Sequence, residues 1–178
     1  MNLFIIDDAA DGNQTWVYSA VAADGVPVAR HDPHSRIQIV TATAERAKQR
    51  RWTDKLFPMS RDLLISARAC TLFRSLRIDD CTRFIPTGVH ARGGRKLADY
   101  FLVVASTKYD VLDRAQSELR PSEITGVKRY VFARERLPPL DLFLTTGDDW
   151  DWVATSELVS LLERAGMTGF RFTPANVV

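Results

Sequence analysis

One pattern constrains this chain more than any other, and it occurs twice. In "LLISARACTLFRSL" the apolar residues Ala69, Leu72, Phe73 and Leu76 fall at i, i+3, i+4 and i+7, the spacing of one helix face, with Ser66 placed to cap the N-terminus. In "VATSELVSLLERAG" the residues Leu158, Leu161, Leu162 and Ala165 repeat that spacing. Here Ser156 is the expected cap, Glu157 lies in the first turn, Arg164 in the last, and Gly166 is the stop. An apolar, strand-like piece precedes each helix. A short β run ending in proline follows, "TRFIP" to Pro86 and "FRFTP" to Pro174. The sequence therefore predicts two strand-helix-strand units of similar conformation, Leu63 to Pro86 and Val153 to Pro174. Serine to proline spans 20 positions in the first and 18 in the second, so about two extra residues are expected after the first helix, near Asp79 and Asp80.

The remaining segments are mostly short and β-like. Leu3 to Ile6 reads as a buried strand, Thr15 to Val21 as a second, and Ile37 to Val40 as a further apolar run, with turn-forming residues between them. "TAERAKQRRWTDKL" has helix formers but no apolar stripe and reads as an exposed short helix or loop. "DYFLVVAS" reads as a central strand, and "VKRYVFARERLPPLDLFLT" as two more. The regular helices of a doubly wound sheet are missing, so the expected class is α+β, with a mixed, mostly antiparallel sheet and the duplicated unit. With 178 residues, 46% of them hydrophobic, the chain suits a single domain over 1–178. Within it the reading separates an N-terminal lobe of about residues 1–60 from a region of about 62–176.

Charge is unevenly placed. Residues 1–60 carry 7 basic and 7 acidic side chains, 61–136 carry 15 and 9, and 137–178 carry 2 and 6, so only the last third is acidic. The basic residues of the middle third are singletons separated by acids and apolar residues, which is not a nucleic-acid footprint. Cys70 and Cys81 stand eleven apart with no CxxC and no histidine at zinc spacing, and read as reduced thiols. "MNLFIIDD" lacks the basic start of a signal peptide, and no apolar run reaches the length of a membrane span. The expectation is a soluble, cytoplasmic protein with neither nucleic acid nor membrane as partner.

Asp110, Asp113 and Glu118 bunch three carboxylates after "YFLVV". A calcium loop needs oxygen ligands at alternating positions and a glycine at its turn, whereas Val111 and Leu112 fill that space, so no metal is expected there. Acid/base work with a partner from elsewhere, such as His90, stays open on spacing alone. His31 and His34 in "HDPH" are interrupted by Pro33 and read as a solvated loop. "HARGGRK" lacks a phosphate-loop pattern and reads as a connection between elements. "GDDWDW" differs in kind. Asp148, Asp149, Trp150, Asp151 and Trp152 are expected on a loop, and loop tryptophans anchor protein interfaces. Trp152 has a second reading, as the buried first residue of a strand, which leaves Trp150 as the exposed ring.

"DYFLVVASTKYDVLDRAQSEL", "LDLFL" and "VATSELVSLLERAGMTGFRFTP" resemble the C-terminal half of a myxobacterial-type family of bacterial immunity proteins found beside polymorphic toxins, formerly a domain of unknown function. The residues that carry the resemblance include Asp110, Leu112, Asp113, Ser117, Leu142, Phe143, Ser156, Leu161, Leu162, Gly166, Thr168, Gly169, Phe170, Phe172 and Pro174. It implies that Asp113 and Ser117 turn the chain after its central strand, and that the protein works by binding a cognate toxin, with no catalytic residue, metal or cofactor. Two other classes remain beside it: a small hydrolase or transferase using Asp110, Asp113, Glu118 and His90, and a dimerisation or scaffold module, for which a homodimer is the partner.

Overall fold

The structure, a computed structural model, describes residues 2–8, 16–17, 21–22, 40–43, 52–58, 63–80, 82–91, 94–119, 127–146 and 151–178. Strands below are numbered among these residues. A seven-stranded sheet joins β2 (Trp16–Val17), β3 (Val21–Ala22), β4 (Val40–Thr43), β5 (Lys55–Pro58), β6 (Leu63–Ile65), β7 (Arg83–His90) and β8 (Lys96–Val104), in the order β2-β5-β6-β8-β7-β4-β3. A six-stranded sheet joins β1 (Leu3–Asp8), β9 (Lys108–Tyr109), β12 (Val131–Phe132), β13 (Leu142–Thr145), β14 (Trp152–Thr155) and β15 (Phe170–Val177), in the order β12-β15-β1-β14-β13-β9. The short strands β10 (Glu118–Leu119) and β11 (Val127–Arg129) pair with each other. Most pairs are antiparallel, and the class is the α+β, mixed arrangement expected from the sequence.

The helices are α1 (Ala67–Phe73) and α2 (Ser156–Arg164), and they pack on each other. Alternation along the strands builds three cores. Leu63, Ile65, Val103, Leu142, Leu144, Trp152, Ala154 and Ile6 turn one way, toward Ala69, Phe73, Leu158 and Leu162 of the helices, and form a core shared by both sheets. Leu56, Leu64, Ile85 and Leu102 face the other side of the seven-stranded sheet, while Leu3, Ile5, Phe143 and Val153 face the other side of the six-stranded one. Among the described residues of 1–60, β1 is a central strand of one sheet and β2 to β5 belong to the other.

Several expectations need correction. Lys55 and Leu56, the end of the stretch read as helix or loop, open the strand Lys55–Pro58, because they pair with Ile65 and Leu64. Neither proline ends its strand: β7 continues to His90 and β15 to Val177. Proline has no N–H to give, so it fits where the ladder is needed on one side only. Pro86 pairs with Phe101 and Pro174 with Phe4, while the described second neighbours join just beyond, at Thr87 and Asn176. Ser66 caps α1 through its side chain, accepting from Ala69 N–H at 3.2 Å. Ser156, the expected cap of α2, is instead its first helical residue; Thr155 is the N-cap, and its hydroxyl is committed elsewhere.

Candidate functional site

The acidic tryptophan stretch joins β13 to β14, and the described residues at its two ends are held by hydrogen bonds to each other and to β9. Thr145 N–H donates to Asp151 O at 3.0 Å, Asp151 N–H donates to Thr145 Oγ1 at 3.1 Å, and Thr146 N–H donates to Tyr109 O at 3.0 Å. From below, the Tyr130 hydroxyl donates to the Asp151 carboxylate. Asp148, Asp149 and Trp150 lie outside the described residues. Of the two readings open for Trp152, the structure places it as the buried first residue of β14, 6% exposed in the shared core. Asp151 is half-buried and engaged by Tyr130. The two described residues of the stretch are therefore a packed tryptophan and a tied aspartate.

The three carboxylates that looked like a cluster have separate tasks. Asp110 is exposed and accepts from Thr146 Oγ1 at 3.3 Å, which puts it at the foot of the tryptophan loop. The Asp113 carboxylate turns the chain, its Oδ1 accepting from Ala115 N–H at 3.0 Å and Gln116 N–H at 3.1 Å. Its backbone N–H donates to Val131 O at 2.8 Å. The Ser117 hydroxyl accepts from Val131 N–H at 3.1 Å and donates to Val131 O at 3.2 Å, which joins the turn to β12. Glu118 begins β10. His90 closes the β7–β8 hairpin, with its Nδ1 3.1 Å from Gly94 O, and that hairpin is what "HARGGRK" forms in its described residues. Among the described residues no three of His, Cys, Asp and Glu come close enough to share a metal ion. His31, His34 and Cys81 lie outside the described residues. Cys70 is buried, and burial pushes its thiol up.

Glycine has a stated role at two signature positions. Gly166 ends α2 at φ +61 with open space around it. Gly169, at φ +87, lies so close to Lys55 O that an added Cβ would stand 2.3 Å from it. Beside Gly169, Phe170 stacks on Phe172 with centroids 6.0 Å apart, and Pro174 sits opposite Phe4 of β1.

Sequence reading missed a buried, multiply bonded carboxylate. Asp141, 2% exposed, accepts from Arg77 N–H and Nε at 3.1 Å, from Arg77 Nη2 at 3.0 Å and from the Thr155 hydroxyl at 3.2 Å. Burial alone would raise its pKa, but the hydrogen bonds from Arg77 and Thr155 outweigh it and hold the carboxyl below the usual range. Nothing local in "PPLDLFL" marks this aspartate, because its partners are 64 and 14 positions away. A nearby cleft is lined by Arg77, Arg134, Pro138, Leu140 and Val177 among others, and its lining holds no carboxylate, imidazole or thiol.

Residues 30–177 match the family model described as an immunity protein family, Imm11. No curated protein matches the chain. No helix among the described residues is long and apolar enough to cross a membrane.

Proposed function

The chain belongs to the Imm11 immunity protein family, and from that premise we propose that it neutralises a cognate bacterial toxin by binding it, without catalysing a reaction. The observation that carries this reading is the hairpin mouth. It fixes both ends of a short loop whose sequence, "GDDW", pairs an aromatic ring with two carboxylates. Fixed ends lower the ordering cost of an interface loop, and tryptophan is the side chain most often found at the energetic centre of one. In this proposal Trp150 is the anchor, Asp148 and Asp149 are the rim, Asp151 and Trp152 are the footing, and the complementary toxin surface is basic. The protein acts in the cytoplasm of the cell that makes the toxin, as part of a polymorphic toxin system, and needs neither metal nor cofactor.

Binding to the product of the adjoining toxin gene tests the loop. Trp150→Ala is expected to lose about 2 kcal/mol or more, roughly thirtyfold in affinity. The Asp148/Asp149 double alanine variant should mainly slow association and soften its salt dependence. Two folded variants that bind as tightly and as fast as the natural chain would move the interface off this loop.

A further inference from the structure

We infer that the chain is two copies of one structural unit, joined as an internal pseudo-dimer about a two-fold relation, with the N-terminal strand completing the second copy. One half runs from β2 to β8 with α1. The other runs from β9 to β15 with α2 and takes β1 as its missing strand.

Strand order and direction carry the first part of the argument. In one sheet β2 is parallel to β5, β5 antiparallel to β6, β6 and β7 both antiparallel to β8, and β7 parallel to β4. In the other, β9 is parallel to β13, β13 antiparallel to β14, β14 and β15 both antiparallel to β1, and β15 parallel to β12. Even β3 has a counterpart, since Leu112 bridges Phe132 of β12 antiparallel, as Val21 pairs with Thr41 of β4. The register agrees as well. "RFIP" of β7 places Phe84 opposite Val103 and Pro86 opposite Phe101; "RFTP" of β15 places Phe172 opposite Ile6 and Pro174 opposite Phe4. β1 therefore fills in one half the slot that β8 fills in the other. It is the only one of the six-stranded sheet's strands that comes from the far end of the chain.

The contacts between the halves carry the second part, because they are reciprocal. Asp54 and Asp141 each precede the first hairpin strand of their own half. The Asp54 carbonyl accepts from Ser66 N–H and its Oδ1 from the Ser66 hydroxyl; the Asp141 carbonyl accepts from Thr155 N–H and its Oδ1 from the Thr155 hydroxyl. Ser66 and Thr155 are the two N-caps. The second oxygen of each aspartate then reaches across. Asp54 Oδ2 accepts from Thr168 N–H, four residues after α2, and Asp141 Oδ2 accepts from Arg77 N–H, four residues after α1. Arg68 of α1 donates to Ala165 O beyond α2, and its counterpart Glu157 of α2 lies 3.8 Å from the Arg77 guanidinium beyond α1. An interface in which i meets j and j meets i is the mark of a two-fold association.

Amide hydrogen exchange in the full chain tests the reciprocity. Asp54→Ala should speed exchange most at Thr168, and Asp141→Ala most at Arg77, each by tenfold or more, so that each change is read in the opposite half. Effects confined to the mutated half, or crossing in one direction only, would overturn the inference. A circular permutant carries the same test should either variant fail to fold. It opens between Asp8 and Trp16 and joins Val178 to Met1 through seven residues, the number that separates the counterparts His90 and Ala98. It should melt cooperatively, with the Ile5 amide as protected as that of Leu102. A permutant that stays unfolded with this linker and with one of twelve residues contradicts the placement of β1.

Discussion

The half built around α1 and the half built around α2 solve one structural problem with different chemistry. Each must fasten an aspartate to its own helix N-cap and to the loop beyond the other helix. Asp54 does this with a hydroxyl and an amide, Ser66 and Thr168. Asp141 uses the same two kinds of donor, the Thr155 hydroxyl and the Arg77 amide, adds the Arg77 guanidinium, and is buried more deeply, 2% exposed against 16%. A second contrast lies in the hairpins that lead into the helices. Four residues join Pro58 to Leu63, whereas six join Thr145 to Trp152 and include the acidic tryptophan stretch. The backbone arrangement is thus indifferent to the lock's chemistry and needs no more than four residues at that turn.

The comparison breaks most readily at Gly169. Its alanine variant combines a positive φ with a Cβ 2.3 Å from the Lys55 carbonyl, where the two halves meet. We expect a loss of roughly 3 kcal/mol or more in denaturant unfolding. Gly166→Ala, with a positive φ but open space, should cost about 1 kcal/mol. Equal costs would mean that the close approach of the halves contributes nothing.

The two locks should differ next. Asp141→Ala strands a buried Thr155 hydroxyl and is expected to cost about 2 kcal/mol, with Asp54→Ala nearer about 1 kcal/mol because the Thr168 amide can reach water. Acid distinguishes them further. The Asp141 carboxyl is held below its ordinary range, so its contribution is fully present above the unfolded value of about 3.9 and is lost as pH falls through the lower folded value. Asp141→Asn should therefore flatten the fall of stability below about pH 4. An acid limb unchanged by that substitution would show that this carboxylate does not report on the lock.

The smallest expected difference separates the caps. Ser66→Ala removes a side-chain cap and should cost about 1 kcal/mol, while Ser156→Ala, at a position with no capping role, should cost less than about 0.5 kcal/mol. Reversed values in thermal or denaturant unfolding would restore Ser156 as the cap.

The helices were legible in the sequence because their apolar spacing and capping residues lie within a few positions of one another, and so were the strands at Leu3, Tyr100 and Leu142. The carboxylate turn at Asp113 was legible too, through its resemblance to a family signature. What escaped was set by contacts between distant segments. Lys55–Pro58 has too few residues for a period to emerge, and its strand character comes from Leu64 and Ile65. Pro86 and Pro174 suggested strand ends because a local reading cannot tell which side of a ladder is occupied. Thr155, not Ser156, is the N-cap of α2, and its hydroxyl is drawn off by Asp141, fourteen positions earlier, a contact that local spacing does not show. Trp152 could not be assigned by alternation alone, since the hairpin mouth at Thr145 and Asp151 decides where β14 begins.

The central claim is neutralisation by binding, and a stoichiometric titration tests it most directly. Purified chain is added in steps to a fixed amount of the adjoining gene's toxin, with toxin activity followed in the presence and absence of a chelator. The account predicts a linear loss of activity that ends at a fixed molar ratio, is complete on mixing and is unaffected by the chelator. Inactivation by substoichiometric amounts that progresses with time would contradict it, as would full toxin activity in excess chain.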